Sequence, residues 1–190
     1  MENELSANLA PLIFLHSYGG GGILSGFLHP LLGLDHLLAM LAVGILSAQI
    51  GGRALWTVPA TFVGTMAIGA ILGIFGVALP FVEYGITLSV LILGIAIFFG
   101  DRIPEWAALI AVVFFALFHG NAHGTEIPVV TNTLGLLIAY ILGFLIATAG
   151  LHVIGALIGV LIRRMERGHT LMRIGGLAIT LMGVFLIVNV

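Results

Sequence analysis

Six long apolar runs decide what this chain can become. They cover roughly residues 27–50, 54–77, 82–100, 105–126, 129–161 and 171–189. Each is long enough to cross a hydrocarbon core of about 30 Å as a helix rising about 1.5 Å per residue. The fifth is overlong and must tilt, kink near Gly150 or Gly155, or project beyond the bilayer. Charged residues make up 7% of the 190 positions, against about 25% in a soluble domain, so a water-coated globule lacks the polar surface it needs. The expected fold is an all-α integral membrane protein, a bundle of about six transmembrane helices. Residues 25–190 are expected to form its six-helix membrane domain, and residues 1–24 an extramembrane or interfacial segment.

The arginines orient the bundle. Arg53, Arg102, and the group Arg163, Arg164, Arg167 and Arg173 fall in alternate connections, and lysine is absent. Under the positive-inside rule these connections are cytoplasmic, which puts both termini outside. Without a basic patch, nucleic acid is excluded as a partner. Without cysteine, disulfides, zinc–thiolate centres and thiol nucleophiles are excluded too. The lipid bilayer is the expected partner, and any metal chemistry must use His, Asp, Glu, Met or backbone oxygens. Composition says nothing about oligomeric state.

Two polar clusters interrupt the apolar runs. "HPLLGLDH" (29–36) opens the first and "FHGNAHGTE" (118–126) closes the fourth. With the arginine-based orientation both lie in the outer half of the membrane. His119, His123 and Glu126 are spaced i, i+4, i+7, on one stripe of a helix. His29 and His36 are i, i+7, about 10 Å apart along a straight axis, so sharing one ion requires an irregular helix or an ion between them. Pro30 is expected at the first helical position, leaving His29 just outside as a mouth residue. Asp35 is either a ligand from a distorted turn or an acceptor that orients an imidazole. A single intramembrane His equally serves as a hydrogen-bond partner between helices. Four His and two acids at one depth point to a site, because ionisable groups in lipid are costly.

Other polar residues carry weaker signals. Glu83, in "PFVEYGIT", is either a site member or an interfacial acid. His16 lies in a segment outside the spans, and Met40 and Phe62 are pathway candidates that also read as packing. His152 reads as packing first and as an exit-path ligand second. "LAPLIFLHS" resembles a signal-peptide core but lacks a basic flank. Glycine pairs four apart (Gly69/Gly73, Gly120/Gly124, Gly155/Gly159) mark close helix packing.

The two clusters, in this order, resemble the signatures of the HupE/UreJ family of bacterial nickel/cobalt permeases: His, five residues, Asp-His; and Phe-His-Gly-x-Ala-His-Gly-x-Glu. The resemblance extends over residues 25–190, including "LLAMLAVG" after the first motif. It implies metal handling by His29, Asp35, His36, His119, His123 and Glu126, and it strengthens the case for Glu83 and Phe62. It also implies a permease of the bacterial inner membrane that imports Ni²⁺ or Co²⁺, with Zn²⁺ compatible with the ligand set, and no resident cofactor or enzyme activity. A membrane-embedded His/Asp metallohydrolase is the alternative, since it too needs His and Asp around a metal.

Overall fold

The structure, a computed structural model, describes residues 22–127 and 131–190. His16 lies outside the described residues. The described elements are helices α1 (Ile23–Leu32), α2 (Leu34–Ile50), α3 (Ala54–Ile74), α4 (Val82–Phe99), α5 (Glu105–Thr125), α6 (Leu134–Arg163) and α7 (Gly168–Val188). A 3-10 turn, Gly100–Arg102, joins α4 to α5. Helices α3 to α7 are each long and apolar enough to cross a membrane. The protein is an all-α membrane protein. Its flanks carry the exposed side chains that lipid demands, with Trp56 and Trp106 standing out near the arginine-bearing end.

The first span departs from the expected straight helix. α1 and α2 together satisfy the length and composition of a span, but they meet at 83°. Pro30 lies inside α1 rather than at its start, so His29 is helical and not a residue outside the helix. The cause is local. Pro30 has no N–H to donate, and Gly33 adopts an extended backbone that ends the first helix. α2 then restarts with the Leu37 N–H donating to the Gly33 carbonyl at 2.9 Å. Asp35 Oδ1 accepts the His36 N–H at 2.7 Å, satisfying one donor of the new first turn. A Cβ at position 33 would sit 3.0 Å from Asp35 Oδ1 and 3.3 Å from His36 Nδ1, a tight approach that glycine avoids.

α6 is a single 30-residue helix that runs on through Gly150 and Gly155. At about 1.5 Å per residue it exceeds the hydrocarbon thickness. α3 crosses α5, α4 crosses α7, and α6 packs on both α1 and α2. The α3–α5 crossing is glycine-made: a Cβ on Gly120 would overlap the Met66 carbonyl, and one on Gly124 the Ala70 carbonyl. This contact lets α5 bring its histidines to the bundle core. Gly120→Val is therefore expected to lower thermal stability in detergent by more than about 3 kcal/mol, beyond ordinary overpacking. Gly64→Ala, where nothing lies within 4 Å, should be neutral. A wild-type melting curve for the Gly120 variant would show that the crossing can give.

Candidate metal site

The bend between α1 and α2 is what assembles the site. It sets the rings of His29 and His36 5.9 Å apart instead of stacking them along one axis. The C-terminal turns of α5 then insert His123, whose ring lies 4.6 Å from that of His29 and 4.9 Å from that of His36. One nitrogen from each of His29, His36 and His123 can be chosen so that all three lie within 4.8 Å of one another. Ligands about 2.1 Å from a tetrahedral ion stand about 3.4 Å apart, so modest side-chain adjustment would close the three on a cation. His119, one turn deeper on α5, places its ring 4.8 Å from that of His36.

The hydrogen bonds sort the imidazole nitrogens. His36 Nδ1 donates to Asp35 Oδ1 at 2.8 Å, which leaves Nε2 with its lone pair. That Nε2 is buried without a hydrogen-bond partner. Ser89 plays the matching part for His119. Its hydroxyl donates to the Ile86 carbonyl at 2.6 Å, so its oxygen accepts from His119 Nε2 at 2.9 Å. His119 Nδ1 is then the bare nitrogen, again buried and unpartnered. Both nitrogens of His123 are buried without a partner, and its ring stacks on Phe144 at 4.6 Å with planes 2° apart. Buried nitrogens without partners are uncommon in native folds and call for a functional explanation.

Exposure grades along the cluster. Glu126, at the C-terminus of α5, is 49% exposed and stands 3.6 Å from His29 Nε2, which is itself 12% exposed. His119 and His123 are fully buried. Asn121, between them in sequence, faces away and pins the connection after α3, through Val77 O at 2.7 Å and Leu79 N at 2.9 Å.

The remaining sequence candidates separate. Glu83 is exposed on the first turn of α4 and forms no ion pair with His36, His119 or His123. Met40 is wholly buried in the apolar core. Phe62 lies against His119, ring centroids 5.5 Å apart. Sequence reasoning missed Ser89, Phe144 and Tyr140, whose buried hydroxyl has no partner and whose ring is 6.4 Å from that of His29. A hydroxyl within an apolar run was the available signal for Ser89 and Tyr140, shared with neighbours such as Thr87 and Thr148; Phe144 carried none.

At the opposite end, Arg53 Nε donates to both oxygens of Glu105 at 2.9 and 3.1 Å, and Thr57 joins at 2.7 Å. The Glu105 carboxylate holds the Arg53 guanidinium above its ordinary pKa. This tie braces the arginine-bearing ends of α3 and α5.

Fold and cluster together define a helical membrane protein with a buried imidazole group near one end of its bundle. The family described as HupE / UreJ protein matches residues 5–186, and the chain belongs to that family. It is 46% identical over 169 residues to Protein HupE of Rhizobium leguminosarum bv. viciae, covering 88% of this chain and 85% of that protein. No solved structure matches.

Proposed function

We propose that the protein is a permease importing a divalent transition-metal ion, Ni²⁺ first and Co²⁺ second, through the imidazole and carboxylate site. The observation that carries this reading is the convergence within 4.8 Å of nitrogens from His29 and His36, on either side of the α1–α2 bend, and from His123 on the sequence-distant α5. Imidazole and carboxylate donors suit Ni²⁺, Co²⁺ and Zn²⁺ and disfavour Cu⁺. Asp35 and Glu126 flank the cluster and offset the charge of a partly dehydrated dication, which a neutral histidine set cannot do in a low-dielectric setting. Family membership favours selection of nickel or cobalt and does not favour the metallohydrolase. Under the positive-inside rule the half-exposed Glu126 and His29 form the outer mouth, and the ion moves from there toward the arginine end of the inner membrane.

The test is Ni²⁺ uptake into liposomes containing only this protein. Uptake above that of empty liposomes is expected; none, in protein that is folded and correctly inserted, would refute the reading. Binding should also weaken in acid, because protons and metal compete for the same nitrogens and an unperturbed imidazole has a pKa of about 6.5. Below that value protonation removes the lone pair, so titration at about pH 5.5 should give lower affinity than at about pH 7.5. Equal affinity would mean that His29, the part-exposed imidazole at the rim, does not ligate.

A further inference from the structure

His152 on α6 is outside the cluster just described, yet it shares that cluster's most unusual property. It is 1% exposed, and both ring nitrogens are buried without a hydrogen-bond partner. An imidazole enclosed in this way forfeits its hydration, and a leucine would fill the place at lower cost. On one flank lies a groove of about 600 Å³ between α3 and α6, where Pro59, Val63, Val153 and Leu157 offer no polar group. On another lies Phe62, ring centroids 5.1 Å apart and planes at 80°. The same Phe62 ring lies 5.5 Å from that of His119. One phenyl group therefore contacts both the innermost imidazole of the cluster and a further bare imidazole.

The order along the bundle is fixed by α6. Phe144 stacks on His123, and His152 comes eight residues later, about 12 Å closer to the arginine end along the axis. Between these levels Thr148 is fully buried and donates to Met66 Sδ at 3.9 Å, one turn before Phe62 on the return course of α3. Among the described residues His152 has no acid or second histidine as a hydrogen-bond or ion-pair partner. That suits a transit position, since passage requires binding weak enough to release.

We propose that His152 is a second holding point for the transported cation, against the Phe62 ring, and that displacement of that ring opens the step from His119 to His152. The step is an exchange of ligands on an unchanged divalent ion: one imidazole nitrogen leaves and another takes its place. This rests on the permease reading above.

The test pairs Ni²⁺ binding by purified protein with Ni²⁺ flux into proteoliposomes. His152→Leu is expected to keep wild-type affinity at the outer cluster and a wild-type melting temperature, while flux falls by an order of magnitude. His152→Cys, which restores a ligating atom, should retain most of the flux. If leucine disturbs folding, the comparison of His152→Cys with His152→Ser carries the result, because the two are nearly equal in size and differ in ligating power. Wild-type flux in His152→Leu would overturn the proposal, and so would equal flux in the Cys and Ser variants. A wild-type protein that moves no Ni²⁺ would overturn the permease reading with it. Normal wild-type flux that His152→Leu leaves unaltered would overturn the His152 step alone.

Discussion

His123→Phe is expected to weaken Ni²⁺ binding by at least about 100-fold while leaving the protein as stable as before, or more so. His123 is central to the cluster: its ring touches those of His29 and His36 and stacks face to face on Phe144. Phenyl matches imidazole closely enough in shape to keep that stack. It also removes two buried nitrogens that have no hydrogen-bond partner. Leaving such a group unsatisfied costs about 1–3 kcal/mol, so a melting temperature equal to or above wild type is expected. Metal affinity should fall at least about 100-fold, since a ligand from the centre of the group is lost and its neighbours cannot close the gap. Stability and function would thus be opposed at one residue, as they are at sites that keep polar groups for their chemistry. Ni²⁺ titration and thermal unfolding of the same preparation check both halves. Retained affinity would remove His123 from the ligand set.

Asp35→Asn should produce the next largest loss. The aspartate does two things to His36. It accepts the Nδ1 proton at 2.8 Å, which directs the Nε2 lone pair away from it, and it supplies negative charge beside the cluster. Asparagine can keep the first through its amide oxygen and loses the second. A decrease in Ni²⁺ affinity of about 10- to 100-fold is expected, the range typical of losing a partner behind a metal-binding histidine. Asp35→Ala, which loses both, should bind no better than Asp35→Asn. If Asp35→Asn binds Ni²⁺ as tightly as wild type, the charge is irrelevant and only the hydrogen bond counts.

Much of this was legible in the sequence because lipid leaves few options. Uninterrupted apolar runs bounded by arginines can only be membrane helices, and costly polar groups within them mark a site. The bend at Gly33 was harder to read. Pro30 fits a helix start as well as a helix interior, and only the path of the chain after Gly33 decides between them. That bend answers the spacing problem of His29 and His36, which a straight helix would hold about 10 Å apart. Ser89, Phe144 and the Phe62–His152 contact were not legible for another reason. Periodicity says which residues share a face of one helix, not which helix that face meets. Ser89 acts on His119 only because α4 lies beside α5. Phe62 read as a path lining or as packing, and the sequence could not say that it packs against two imidazoles.

Metal-edge X-ray absorption of the purified protein with one equivalent of Ni²⁺ tests the central claim most directly, because it counts imidazoles around the ion. Three or more histidine nitrogens at about 2.1 Å are expected, falling by one in His123→Phe wherever metal can still be loaded. A shell of oxygen ligands alone, unchanged by that substitution, would contradict a metal site built from His29, His36 and His123.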